Sequence, residues 1–178
     1  MANYAGTWQI DPVHSTVGFQ VKHLGIANVR GEFRDFEGVL ELDENGTGTV
    51  KGAVNVATVD TRNDARDQHL RSADFFEAET YPEISFTSTD LGGLGNGEFA
   101  VTGDLTLHGV TRPVTLKGEV EGHEESGMEG EERVGLSATG KISRKDFDIK
   151  FDAALGSGNK VVSDEVKLLL DVSAVKQA

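Results

Sequence analysis

Apolar and polar positions alternate with a period of two along most of the chain, the pattern of strands with one dry face. Between Ser15 and Leu24, Val17, Phe19, Val21 and His23 share one face, and Thr16, Gln20 and Lys22 share the other. From Val29 to Asp43 the chain carries Phe33, Phe36, Val39, Leu40 and Leu42, and the odd spacing of the two Phe predicts a bend or bulge near Asp35. Thr47 to Val59 aligns Val50, Gly52, Val54 and Val56, and Glu83 to Asp90 aligns Ile84, Phe86 and Ser88. The second half alternates more strictly: Phe99 to Leu107, Val114 to Val120, Val134 to Ile142 and Val166 to Val172. Eight such runs, with turn sequences at 43–46, 92–97 and His108-Gly109, predict an all-β fold of antiparallel strands.

One segment departs from this pattern. Asn63 to Glu79 predicts a helical insert of one or two short turns, capped by Asn63 or Asp64, with Ala65, His69 and Leu70 on neighbouring helical positions. Ser72 is expected to start a second turn carrying Phe75 and Phe76, and Pro82 to stop it. The insert is expected to lie across an opening of a barrel.

Composition narrows the choices. A chain of 178 residues without a linker is expected to form one domain, residues 1–178. There are no cysteines, which excludes disulfides, thiolate nucleophiles and iron–sulfur clusters. Seventeen Lys and Arg against thirty Asp and Glu give a net charge of −13, which argues against nucleic acid and anionic membrane surfaces as partners. No apolar run reaches the roughly 20 residues of a membrane-spanning helix, and the N-terminal residues lack a secretory signal, so the expected location is cytoplasmic.

Glycine is the informative count, at 22 residues. Gly52, Gly103, Gly118 and Gly140 fall within apolar stripes, where each costs about 0.5–1 kcal/mol relative to Ala. Two compatible explanations arise: glycine lets strands coil at barrel corners, or missing side chains leave a hollow lumen. The lumen would be lined by Phe19, Val21, Phe33, Val54, Phe86, Phe99, Val101, Leu105, Leu116, Leu136 and Leu168, a surface suited to a hydrocarbon chain.

The order of motifs resembles the YceI family. Trp8-Gln9-Ile10-Asp11-Pro12-Val13-His14-Ser15, Val21-Lys22-His23-Leu24-Gly25 and Val29-Arg30-Gly31-Glu32-Phe33 match its opening. Thr61-Arg62-Asn63, Arg66 to Ser72, Asp74-Phe75-Phe76 and Tyr81 to Thr89 are similar to its central motif. Gly103 to Val114 and Ser143-Arg144-Lys145-Asp146-Phe147 complete the likeness. The resemblance covers nearly the whole chain. It implies a lipocalin-like, eight-stranded antiparallel barrel holding a polyisoprenoid, such as a prenyl quinone or polyprenyl phosphate. Many members of the family look exported, whereas this sequence lacks a signal. The family usually has Gly after the last Asp-Phe, where this chain has Asp148.

Polar residues in these motifs are the candidates for chemistry. His14, His23, His69 and His108 show no metal-binding spacing and are expected to pair with carboxylates or satisfy backbone groups. His14 and Ser15 point to opposite faces of an extended chain, which spoils a Ser–His dyad, and no Gly-x-Ser-x-Gly is present. Arg66 and His69 share a helical face beside Asp67. Either Arg66 and Asp67 pin the insert to strand ends, or Arg66 or His69 contacts a ligand's polar head at the lumen mouth. Arg112 and Arg144 carry weaker claims. The seven glutamates between Glu119 and Glu132 predict a solvated hairpin rather than a calcium loop.

These readings converge on a non-enzymatic lipid-binding protein that stores or transports an isoprenoid lipid, with no cofactor beyond that bound polyisoprenoid. The candidate ligand-binding set is the lumen residues above together with His23, Phe36, Arg66, His69, Phe75 and Phe76, the last two covering the entrance. No nucleic acid and no stable membrane insertion are expected, and a homodimer is left open. Two alternatives stand: an enzyme acting on an isoprenoid or quinone headgroup through His69 or His108, and a stress-associated domain whose barrel is filled by its own side chains.

Overall fold

The structure, a computed structural model, describes residues 2–153 and 155–178. Among them are the strands β1 (Gly6–Ile10), β2 (Thr16–His23), β3 (Ala27–Phe33), β4 (Phe36–Leu42), β5 (Gly48–Asn55) and β6 (Val59–Asp60). After a helix, α1 (Asp64–Arg71), come β7 (Glu83–Leu91), β8 (Glu98–Leu107), β9 (Val110–Glu124), β10 (Arg133–Ser143) and β11 (Val162–Lys176). All pairings are antiparallel, in the order β1-β4-β5-β7-β8-β9-β10-β11, and β11 returns to β1 to close the barrel. β2, β3 and β6 prolong β1, β4 and β5, so the segments form eight continuous staves.

The three interrupted staves break at one level of the barrel. Pro12–His14 and Val56–Thr58 form short 3₁₀ turns, and Arg34-Asp35 separates β3 from β4. At each break the inward-facing parity changes. Trp8 and Ile10 face in before the first and Phe19 and Val21 after it; Phe33 gives way to Phe36, and Val54 to Val59. The bend expected near Asp35 is therefore one of three neighbouring phase resets, each adding or dropping residues without turning the apolar face outward. The expected turns at 43–46, 92–97 and 108–109 join β4 to β5, β7 to β8 and β8 to β9.

One end of the barrel is plugged. Trp8 and Val134 are fully buried there, Leu94 nearly so, and the Trp8 indole N–H donates to the Tyr4 carbonyl at 2.8 Å. The opposite end is assembled from the β2–β3 turn, residues 61–82, the β8–β9 turn and residues 144–161.

Helix α1 is capped by the Asn63 side chain, which accepts the Arg66 N–H at 2.9 Å. It ends at Arg71, well before Pro82. The chain folds back, and the N–H groups of Ser72, Phe76 and Ala78 satisfy the carbonyls of His69, Leu70 and Arg71. A second turn does start at Ser72, whose carbonyl accepts the Phe75 N–H at 3.1 Å, but it does not propagate as helix and passes into this returning strap. Asp148, where the resemblance implies glycine, has φ 61°, the left-handed conformation in which glycine is most at ease.

Candidate functional site

The interior is hollow. A cavity of about 290 Å³ runs inside the barrel, walled almost wholly by apolar side chains. Phe19, Val21, Phe33, Phe36, Val54, Phe75, Phe76, Phe86, Phe99, Val101, Leu105, Leu116, Leu136 and Leu168 all line it. On β11 the inward-facing Val166, Leu168, Leu170 and Val172 stay partly accessible although they point to the barrel axis. A barrel filled by its own side chains, one of the alternatives raised above, does not match this geometry.

The glycines do not create the space in the expected way. A side chain on Gly103 would strike the Phe86 ring, one on Gly118 the Phe99 ring, and one on Gly140 the Leu116 methyl group. Gly31 stands in the same relation to Phe19. In each case a large side chain of the adjoining strand occupies the space next to the glycine, and at Gly103 and Gly118 the Thr87 and Ser137 carbonyls approach at least as closely. Of the four glycines in the apolar stripes, Gly52 alone would carry a side chain without a clash, its nearest neighbour being the Glu37 carbonyl at 3.4 Å. The other three therefore do not leave the lumen empty by themselves; they seat a neighbouring side chain and, at Gly103 and Gly118, admit the close backbone approach that a coiling strand makes.

The strap after α1 roofs the open end. Phe76 packs edge-on against Phe19 and Phe33, with ring centroids 6.3 and 5.7 Å away. Phe75 and Phe151 meet at 5.1 Å, and the His69 ring stands edge-on to both.

Three residues of the candidate set lie outside the cavity wall. His23 is exposed at the end of β2, opposite Ala27 and Val162, because the strand runs past the rim before the turn. Arg66 turns outward, donating from Nε to the Thr61 hydroxyl at 2.7 Å and from a terminal nitrogen to the Thr61 carbonyl at 2.6 Å. It lines an outer groove with Arg30 and Arg62 instead. Buried Asp67 accepts from the Thr61 N–H at 2.8 Å and from its hydroxyl. Both residues pin α1 to the end of β6, the first of the two roles considered. His69 sits on the rim, half-exposed, with Nε2 2.8 Å from Asp74.

His14 and His108 also pair with a carboxylate or backbone, as expected, whereas exposed His23 makes no side-chain hydrogen bond or ion pair among the described residues. His14 Nδ1 lies 2.7 Å from Asp11. His108 Nδ1 lies 3.0 Å from the Phe147 carbonyl, with Glu77 3.4 Å from Nε2. Asp11 also takes an ion pair from Arg133 at 2.9 Å, and the His14 and Arg133 bonds together hold its carboxyl at about 2. Arg112 donates to the Asp146 carbonyl at 3.2 Å. Among the described residues, no group of three or more His, Asp or Glu gathers as a metal site would require.

Arg144 matters more than its sequence signal suggested. Only 3 % exposed, it touches the cavity wall yet spends its donors on the rim. It binds the carbonyls of Ser163 and Ile149 at 3.0 and 2.9 Å and reaches Asp152 and Asp164 at 3.3 and 3.4 Å. Lys145 beside Asp152 and Lys160 beside Asp164 hold both carboxyls below the usual range. The guanidinium is thus the hub around which residues 144–164 wrap. Sequence reasoning also missed Ile10, Leu70, Ile149 and Val162 in the wall. Ile10 was detectable from its alternation with Trp8, but the other three lie at segment ends where no period is established.

Comparison with known proteins agrees with this architecture. The YceI-like domain model matches residues 8–174. Protein YceI of Escherichia coli O6:H1 is 43% identical over 166 residues, covering 92% of this chain and 83% of that protein. The crystal structure of the Campylobacter jejuni YCEI protein superposes with a TM-score of 0.74 at 33% identity, over 88% of this chain and 90% of that one. A polyisoprenoid-binding domain from Saccharophagus degradans, implicated in plant cell wall breakdown, shares the fold with a TM-score of 0.70 at 16% identity, over 96% and 98% of the two chains. Matched by the family model over nearly its full length and 43% identical to a YceI protein across 92% of its residues, the chain belongs to the YceI-like family.

Proposed function

We propose that this protein binds a long isoprenoid lipid, of the prenyl quinone or polyprenyl phosphate type, with the tail in the lumen and the polar head at the open end. The observation that carries this reading is the apolar cavity, closed at one end by Trp8 and Leu94 and roofed at the other by a strap of aromatic rings. Each methylene withdrawn from water contributes about 0.8 kcal/mol, so a five-carbon isoprene unit contributes roughly 4 kcal/mol of gross burial. Against a bilayer the gain is close to nil, since lipid is equally apolar, and this suits a carrier or store that exchanges its load with membranes. The polyisoprenoid-binding description of the Saccharophagus degradans domain supports the choice of ligand class. A binding role fits better than catalysis because the cavity wall is almost wholly apolar, His69 stands on the rim and Arg66 is spent on Thr61 outside the cavity.

Native mass spectrometry of freshly purified protein, followed by organic extraction, tests the proposal. The expected result is a co-purifying prenyl lipid, or uptake of an added prenyl quinone into the delipidated protein. Repeated failure of both overturns it.

A further inference from the structure

The two ends of the barrel differ in charge. At the plugged end the β9–β10 turn carries five glutamates between Glu124 and Glu132, with Asp43 and Glu44 on the neighbouring β4–β5 turn. The nearby cations are already committed, Arg133 to Glu131 and Lys176 to Glu132, both at 2.9 Å. At the open end, residues 144–161 hold four Lys and Arg against three Asp, whereas residues 62–82 hold three Arg against five Asp and Glu. One corner of the mouth is therefore the least acidic part of the rim.

Large apolar side chains stand exposed at that corner. Ile26, in the β2–β3 turn, is 77% exposed, and Leu155 is 43% exposed. The two segments are joined: the Leu24 N–H donates to the Val161 carbonyl at 3.1 Å, Gly25 lies against the Asn159 side chain, and Leu155 bonds Asn159. Val162, the residue after that bonded carbonyl, lines the cavity, so the corner opens directly onto the lumen wall.

We propose that this corner, the β2–β3 turn with residues 155–161, is the surface through which the barrel docks on a lipid bilayer, Ile26 and Leu155 entering the boundary between headgroups and acyl chains. The inference rests on the reading of the lumen as a lipid site and adds where the lipid passes. Exposed aliphatic side chains partition into that boundary, and repulsion of the glutamate-rich end from an anionic leaflet turns the mouth toward it. The net charge of −13 then acts as an orienting device rather than as a bar to contact.

Met128 supplies the control. It is fully exposed and apolar but lies in the β9–β10 turn at the plugged end. Sedimentation with phosphatidylcholine vesicles, with and without phosphatidylglycerol, should show Ile26→Asp and Leu155→Asp each lowering partition about tenfold, the scale of one aliphatic side chain left in water. Met128→Asp should leave it unchanged. Ile26→Trp should raise partition through a stronger interfacial anchor, which keeps the test open if an acidic variant misfolds. Wild-type protein that does not partition, or partition that falls equally with Met128→Asp, overturns the inference. Retention of a prenyl quinone on gel filtration is measured in parallel. Ile26→Asp should keep it, so loss of docking and loss of lipid binding are told apart.

Discussion

The plugged and open ends of this barrel are stabilised by different kinds of interaction. The plugged end is held by packing: Trp8, Leu94 and Val134 are withdrawn from water and the only buried side-chain donor among them, the Trp8 indole, is bonded to Tyr4. The open end is held by polar pins, with Arg144 gathering residues 144–164, Thr61 clamped by Arg66 and Asp67, and His69 and His108 facing Asp74 and Glu77. Packing of the first kind is non-directional and hard to open in part, while polar pins can be released one at a time. This division suits the lipid-binding role proposed above, in which the lumen is entered from one end.

The sharpest way to test the contrast is to damage each end separately. Trp8→Ala should lower unfolding free energy by about 3–5 kcal/mol in denaturant titration, because it leaves a large void in the packed plug. Arg144→Ala should cost about 3 kcal/mol by leaving the Ile149, Val162 and Ser163 carbonyls without their donor, while Lys145 and Lys160 keep Asp152 and Asp164 paired. Its signature should also be local: hydrogen exchange should rise across 148–161 while β8 and β9 stay protected. Uniform exchange in both variants would erase the distinction between the ends.

The lumen itself can be tested without disturbing either end. Gly52→Leu adds a side chain whose first carbon meets only the Glu37 carbonyl, at contact distance, so stability should hold, whereas prenyl quinone affinity should fall about ten- to a hundredfold as space for part of an isoprene unit is lost. Unchanged affinity would mean that the ligand lies elsewhere. Acid provides a smaller probe. The Asp11 carboxyl, near 3.8 when unfolded, is held at about 2 by His14 and Arg133. Its contribution is present above pH 4 and is lost as pH falls toward 2, costing about 1–2 kcal/mol. Asp11→Asn should flatten that part of the pH–stability curve. The smallest effect expected is from Asp148→Gly, which relieves left-handed strain at the open rim and should gain about 0.5–1 kcal/mol in the same titration.

Sequence periodicity made the barrel wall legible because inward and outward residues differ in kind, as with Phe99 to Leu107. It failed where the frame shifts. β1 was not recognised as a strand because Trp8 and Ile10 lie out of phase with Val17 and Phe19 across the Pro12 turn. The open rim was the least legible region. Arg66 and Arg144 have the same chemistry, but only the fold shows that one faces outward to Thr61 and the other inward to the backbone of its own segment. The role of each glycine was hidden for a related reason, since a gap in one strand means little until the neighbouring side chain or carbonyl that uses it is seen.

The phase resets at 12–14, 34–35 and 56–58 bear on how this barrel tolerates changes in length. Adding or deleting one residue in a stave of unbroken register such as β8 would turn every later side chain inside out. At those three seams, as at the bulges of Thr89 in β7 and Glu121 in β9, the count is already irregular, so a single-residue insertion there can be absorbed, and relatives of different length should differ at these positions before they differ elsewhere in the wall.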